Sequence, residues 1–504
     1  MPLHPQQPAG RVYLVGAGPG DPGLIALRGV ECLRRADLVL YDYLVNPRIL
    51  RHVPPQAERV CLGRHGRDRI LPQSEINARM VAEARAGRTV VRLKGGDPAI
   101  FGRAAEEVEA LLAEGITYEI VPGITAALAA GSHAGIPVTH RDFASAVALV
   151  TGHQQEGESA PELDYAALAA FPGTLVFYMG VTTAGVWCRE LIAAGRAADT
   201  PAAIVRRCTW PDQETICCTL GHVADEVEKR RLRPPAIVIV GQVAQAAVES
   251  WFEQRPLFGQ TVLVTRPLEQ GIELADRLHE LGATALLQPA IVIDEPDDWT
   301  PVDAALTQLA DFDWLVFSSA NGVRYLMDRL LSQHGDVRKL GSIRLAAIGP
   351  RTAEALEDYS LRADVTPPDD FRAEGLSSEL VSQAVGGHFL LVRASRGRES
   401  LADSLAAAGA RVTQVVAYSS QDVESPEPEI AAALEEGRID WVTITSSAIA
   451  RSLVNLFAER LRKAKLVSIS PVTSGTLREL GYTPAAEAKR YTTEGLIEAV
   501  KAMA

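Results

Sequence analysis

Several strand-like segments end in glycines beside a carboxylate. Arg11-Val12-Tyr13-Leu14-Val15 runs into Gly16-Ala17-Gly18-Pro19-Gly20-Asp21-Pro22-Gly23. Asp21 can cap the helix that follows, with Pro22 in its first position. Gly18, Gly20 and Gly23 formally satisfy G-x-G-x-x-G. Asp42 closes the next apolar run, Leu38-Val39-Leu40-Tyr41, 19 residues after Gly23. A dinucleotide fold keeps its ribose-binding acid about that far on, so a dinucleotide-dependent oxidoreductase is one reading. Pro19 and Pro22 weigh against it, because they remove backbone N–H donors from the loop that should cradle a pyrophosphate.

Further strand ends carry the same mark. Val90-Val91-Arg92-Leu93-Lys94 runs into Gly95-Gly96-Asp97-Pro98, and Val121-Pro122-Gly123-Ile124-Thr125-Ala126-Ala127 restarts a small-residue helix. Val150-Thr151-Gly152-His153 and Phe177-Tyr178-Met179-Gly180 are two more. Each alone reads as a tight turn. Together they describe one crevice built from loop tips. The second half has a different vocabulary of Ser/Thr clusters where strands become helices. These are Ser318-Ser319-Ala320-Asn321-Gly322, Thr445-Ser446-Ser447, Thr473-Ser474 and Thr492-Thr493-Glu494. Ordinary N-capping explains any single cluster. Their repetition also suits helix ends facing an anionic ligand. No nucleophile–base pair, metal cluster or phosphate loop stands out there.

The elements that position these residues alternate β-branched strands with Ala/Leu-periodic helices, which predicts α/β architecture throughout. The best boundary falls near Trp251–Gly259, where Pro256 and Gly259 separate the apolar run Ala236–Gly241 from a fresh strand, Thr261–Val264. The second half repeats itself. Leu263…Arg266…Leu274-Ala275-Asp276…Gly282-Ala283 recurs 127 residues later as Leu390…Arg393…Leu401-Ala402-Asp403…Gly409-Ala410. At the same offset Asp313-Trp314 answers Asp440-Trp441. That pattern predicts two similar lobes with a cleft between them.

The chain has 504 residues, enough for three or four domains, with 47% apolar and 22% charged residues. Its net charge of −13 is uneven, with −2 in residues 1–256 and −11 after them. Such a balance makes nucleic acid a poor partner. Only Lys94 and Lys229 among the first half's 26 basic residues are lysines. Arginine favours bidentate anion binding, although a coding bias toward Arg explains the count equally well. No apolar run is long enough to span a bilayer, and the polar start lacks a signal-peptide layout, so a cytoplasmic protein is expected. The six cysteines form no C-x-x-C pair, which argues against a disulfide framework or a metal site.

The strings GAGPGD at Gly16–Asp21, YD at Tyr41-Asp42 and RLKGGDP at Arg92–Pro98 continue with VPGITAA at Val121–Ala127, GIPVTHRD at Gly135–Asp142, VTGH at Val150–His153 and FYMG at Phe177–Gly180. In this order, over about 11–250, they resemble the S-adenosylmethionine-dependent uroporphyrinogen-III C-methyltransferases. The resemblance implies a two-lobed tetrapyrrole methyltransferase fold, usually in a homodimer. It implies a proton-acceptor role for Asp42, and methyl-donor contacts at Pro19, Gly95, Gly96, Asp97, Ile100, Thr125, Ala126 and Met179, with Cys208 and Ala236 at later positions. The family commonly has Gly-Lys where this chain has Gly63-Arg64. Arg stays protonated and is a poor proton donor, so Arg64 is expected to bind a substrate carboxylate rather than to act as an acid. A substrate with eight carboxylates needs cations. Arg28, Arg64, Arg67, Arg69, Arg92, Lys94, Arg103, His133 and Arg141 are the candidates. His153 reads as a structural histidine before a catalyst.

The second half, over about 259–500, resembles uroporphyrinogen-III synthase. The strings are Val262–Pro267, Phe317–Val323, Ala347–Ala353, Val416-Ala417-Tyr418 and Thr493–Leu496. This implies a two-lobed α/β fold, one lobe being about 259–288 plus 419–504 and the other about 289–418, with crossings near Leu287–Ile293 and Val415–Ser420. It also implies closure of hydroxymethylbilane with inversion of the last ring, without a cofactor or metal. Tyr418 matches a tyrosine proposed to help the hydroxyl leave, and a packed interface Tyr is the plain alternative. Arg266, Ser318, Ser319, Thr445, Ser446 and Thr473 are the substrate-binding candidates. The combined expectation is a bifunctional enzyme, 1–256 and 259–504, that makes uroporphyrinogen III and methylates it twice to precorrin-2. One rival keeps the second half as a non-catalytic tetrapyrrole-binding module.

Overall fold

The computed structural model describes residues 10–63, 71–152, 163–246, 248–396 and 400–504. The chain clusters into two compact units. One runs to Gln260 and takes in His279–Thr284, and the other holds Thr261–Leu278 and Ala285–Ala504.

The first unit contains two sheets. Strands β1 (Arg11–Gly16), β2 (Leu38–Tyr41), β3 (Glu58–Cys61), β4 (Val90–Lys94) and β5 (Thr117–Val121) form a parallel sheet in the order β3-β2-β4-β1-β5. The strands read as unbroken apolar runs because helices cover both faces. Alternation then sorts the side chains. Tyr13, Val15, Val39, Val91 and Leu93 pack with Cys32, Leu33 and Ile49, while Val12, Leu38, Leu40 and Val90 pack with Ile76, Met80 and Leu111. Strands β6 (Val147–Thr151), β7 (Thr174–Tyr178), β8 (Pro201–Arg206), β9 (Glu214–Thr219) and β10 (Ala236–Val240) form a mixed sheet ordered β6-β7-β10-β8-β9. The segment after β10 folds back onto this unit. Ser250 Oγ donates to the His133 carbonyl at 2.5 Å, and Phe252 is fully buried with its ring 4.9 Å from that of His133.

The second unit holds β11 (Thr261–Val264), β12 (Thr284–Leu287), β13 (Ile291–Asp294), β14 (Trp314–Phe317), β15 (Arg344–Ala347), β16 (His388–Ala394), β17 (Arg411–Asp422), β18 (Trp441–Ile444), β19 (Lys465–Ser468) and β20 (Ala486–Glu487). Its sheets are ordered β12-β11-β18-β19-β20 and β13-β17-β16-β14-β15. The sequence repeat is visible in this order. Strands β12-β11-β18-β19 correspond to β17-β16-β14-β15, and the repeated Trp441 and Trp314 are both buried. The long β17 passes beyond its parallel sheet and pairs antiparallel with β13 through Ser419–Asp422. Among the described residues, no helix is long and apolar enough to cross a membrane.

Candidate functional site

In the first unit, register brings the loops together. Gly16 aligns with Lys94 and Val15 with Val121, so β1, β4 and β5 end at one level. The backbones of the next residues then touch. Gly18 and Gly96 exchange N–H···O bonds of 3.1 and 2.7 Å, and a Cβ on Gly123 would lie 2.2 Å from the Gly96 carbonyl oxygen. Asp97 ties two loops together. Its Oδ2 accepts from Gly123 N–H and its Oδ1 from Ala99 N–H, both at 2.8 Å. Asp21 accepts from Gly23 N–H across the three-residue turn Pro22–Leu24, and the next helix starts only at Leu27. The loop therefore presents no helix N-terminus to a pyrophosphate, which removes the structural basis of the dinucleotide reading.

Asp42 directly follows β2 and is partly exposed. Its Oδ1 accepts from Arg92 Nη2 at 2.6 Å, and among the described residues no hydrogen bond is made at Oδ2. Arg92 in turn donates from Nε to Glu107 at 3.0 Å, and Lys94 Nζ donates to both oxygens of Glu107 at 2.8 and 2.9 Å. Glu107 is fully buried. Burial, then the adjacent Arg92, pushes the Lys94 ammonium below its ordinary pKa. Arg92 and Lys94 thus have their charges committed internally, and Arg92 is linked to Asp42. Arg28 is paired with Glu119 and Glu31, and Arg103 with Glu106. Arg141 is exposed beside Asp142. His133 is buried against Trp251 and Phe252, away from any role as a surface cation. Arg64, Arg67, Arg69 and His153 lie outside the described residues.

Thr125, buried, meets the Tyr178 hydroxyl at 2.5 Å, and Ala127 N–H donates to the same oxygen at 2.9 Å. Ala126 and Ile100 are half-buried, as is Pro19, and Ala236 on β10 pairs with Arg206 on β8. Burial pushes the Cys208 thiol well up, so it stays neutral. Met179 is exposed with φ +53°. Phe101, Arg103, Arg207 and Thr209 also adopt positive φ, so non-glycine strain gathers in the loops after β4, β7 and β8. Sequence reasoning missed four residues that complete these loops. Tyr178 braces Thr125, Thr209 Oγ1 accepts from Asp21 N–H at 2.9 Å, Asn46 donates to the Gly20 carbonyl at 2.8 Å, and the Trp210 ring packs directly over Gly20. The FYMG string already contained Tyr178. The other three carry no spacing signal.

In the second unit, Tyr418 on β17 lies 3.0 Å from Ser319 Oγ and stacks on Tyr325 at 5.8 Å between ring centroids. Burial raises the Tyr418 pKa, with Ser319 opposing, so the phenol stays protonated near neutrality. Ser319 also caps the helix Ala320–His334 through Gly322 N–H, and Ser446 caps Ser447–Phe457 through Ile449 N–H. Capping is therefore real at both repeats. Ser318 Oγ donates to the Val392 carbonyl, Thr445 is half-buried, and Thr473 is buried against Ser470, which is the cap of its helix. A cleft of about 360 Å³ lies beside Tyr325, lined also by Pro267–Gln270, Ile291–Ile293, Asn321 and Arg324. Arg266 is buried and donates to Thr493 Oγ1 at 2.9 Å.

The chain matches the family Tetrapyrrole (Corrin/Porphyrin) Methylases over residues 11–224 and the family Uroporphyrinogen-III synthase HemD over residues 272–498. It is 34% identical to the porphyrin biosynthesis protein HemD of Ruminiclostridium josui, over 92% of each chain. It is 39% identical to the uroporphyrinogen-III C-methyltransferase of Bacillus subtilis, over 71% of this chain and 74% of that one. Its first half is similar to the uroporphyrin-III C-methyl transferase of Thermus thermophilus complexed with S-adenosyl homocysteine, with 41% identity and a TM-score of 0.41, covering 47% of this chain and 100% of that one.

Proposed function

The chain belongs to the tetrapyrrole methylases fused to uroporphyrinogen-III synthase, and we propose that its halves act in succession, the second half closing hydroxymethylbilane to uroporphyrinogen III and the first methylating that product twice to precorrin-2. S-adenosylmethionine is the proposed methyl donor, and a cytoplasmic homodimer is the proposed state.

The first half's loops fit such a donor. A Cβ on Gly96 would meet no atom within 4 Å, so this backbone faces open space. The donor has no phosphate, so the prolines of the first loop cost it nothing. Displacement at its sulfonium methyl needs the acceptor carbon held in line, a positioning task. Asp42 then accepts the proton that the methylated ring gives up, at the carboxylate oxygen Arg92 leaves open. In the second half, Tyr418 donates to the departing hydroxyl, and the walls around it hold the two chain ends together.

The observation that carries this reading is the fused relative matched over 92% of both chains. The test supplies hydroxymethylbilane to the full chain with and without S-adenosylmethionine and identifies the products. Uroporphyrinogen III without the donor and a dimethylated product with it are expected. Only the non-inverted isomer, at the unassisted rate, would reduce the second half to a binding module. A singly methylated end product would remove precorrin-2.

A further inference from the structure

We propose that Arg266, Arg351 and Thr493 form a clamp for one carboxylate of the synthase half's tetrapyrrole substrate. The inference rests on the ring-closing activity proposed above and assigns one contact within it.

Two guanidiniums converge on one neutral atom. Arg266 Nη1 donates to Thr493 Oγ1 at 2.9 Å and Arg351 Nη2 donates to the same oxygen at 2.5 Å. Among the described residues neither arginine has a carboxylate within ion-pair distance. Other guanidiniums of this unit do have one. Arg329 holds Asp303, Arg396 holds Asp422, and Arg277 takes Glu494, the residue next to Thr493. Like charges brought together without an acid repel, and a hydroxyl offers too few lone pairs for ten N–H donors. Burial, then the adjacent Arg351, pushes the Arg266 pKa down to about 10, and the more distant Glu273 and Glu494 offset this only in part.

The arrangement is built rather than incidental. Arg266 is 5% exposed at the end of β11, which fully buried Thr265 pins by donating to the Thr443 carbonyl. Thr493 is fully buried at the start of the helix Thr493–Lys501, and Arg351 opens the helix Pro350–Glu357 after β15. Arg266 directly precedes Pro267–Gln270, which line the cleft beside Tyr325. A planar carboxylate is the anion two guanidinium forks accept best. Bound there, it would tie the β11 loop to the helix after β15.

The test measures isomer-III formation from hydroxymethylbilane by the full chain, with methyl transfer to supplied uroporphyrinogen III as the internal control. Arg351→Gln, at an exposed position, should raise the KM about 10- to 100-fold, the scale of one charge-assisted hydrogen bond, with kcat within about threefold. Arg351→Lys should recover part of the loss. Arg266→Gln should match it if it folds, and the double variant should exceed the worse single by only a few-fold, because both lose the same carboxylate. Wild type that closes the ring while Arg351→Gln keeps its KM overturns the clamp. So does competition by inorganic phosphate that Arg351→Gln abolishes with no change in KM, which would make the site one for a free anion. Wild type that makes no isomer III overturns the activity on which the clamp depends.

Discussion

Asp42 and Tyr418 have opposite proposed roles, one accepting a proton and one donating it, and their contacts suit those roles. Asp42 has one oxygen taken by Arg92 and, among the described residues, one without a hydrogen bond, as a proton acceptor requires. Asp42→Asn should leave methyl-donor affinity within a few-fold, measured by titration calorimetry, while turnover falls roughly 100-fold or more. Near-normal turnover would remove it from the mechanism. Tyr418 is instead held protonated by burial. Its raised pKa places ionisation above the ordinary value of 10, so any alkaline loss of the ring-closing rate from this group should have its midpoint above pH 10. Tyr418→Phe should slow closure more than Ser319→Ala does. The serine offers a single neutral hydrogen bond and a helix cap, each about 1 kcal/mol, so its removal should lose tenfold or less. A dead Ser319→Ala beside a fully active Tyr418→Phe would reverse the two roles. Product analysis must separate the inverted from the non-inverted isomer in both variants.

Loops between strands set the accuracy of the first site, and two glycines separate folding from binding. Gly123 has no room, since its Cβ would press on the Gly96 carbonyl at 2.2 Å. Gly96 has room but a φ of +69°. Gly96→Ala should therefore cost about 1 kcal/mol of stability and a large part of donor affinity, because the new methyl enters the space the donor would fill. Gly123→Ala should lower the melting temperature much more. Equal effects on melting and on donor titration would refute the distinction. Such glycines were legible in the sequence because each ends a strand, and so were the α/β alternation and the repeat, which reappears as matching strand orders. Ion pairing was not legible. Arg92 and Lys94 look like surface cations until Glu107, on the helix Ala104–Ala113, is seen packed beneath them. Arg351 was quoted only within a family string, because nothing local says it meets Thr493, 142 residues on. Positive φ at Phe101, Arg207 and Thr209 left no trace either, since none is glycine.

At the scale of the molecule, the question is where the first unit stops. A boundary at residue 256 is expected from Pro256, whereas the first unit runs unbroken to Gln260 and adds only the short return His279–Thr284. Trp251 Nε1 donates to the Ser132 carbonyl at 3.1 Å, and Glu253 accepts from Gln213 at 2.8 Å and Thr215 at 2.5 Å. Phe252 is fully buried, which is worth about 1.5–3 kcal/mol. A fragment ending at Gln260 should therefore fold and methylate supplied uroporphyrinogen III, whereas one ending at Val248 should be strongly destabilised. His133 supplies a second readout. Burial, only partly offset by its bond to the Ala129 carbonyl, lowers its pKa below the ordinary 6.5. The unfolded chain then binds a proton that the folded chain resists. Stability from this group is complete above about pH 6.5 and falls as the pH drops toward the lowered value. The urea midpoint of the 1–260 fragment should decrease from pH 7.5 to 5.5, and His133→Phe should flatten that slope. An inactive or insoluble 1–260 fragment would mean that the first unit needs residues beyond Gln260. An unchanged slope in His133→Phe would assign the pH dependence to other groups.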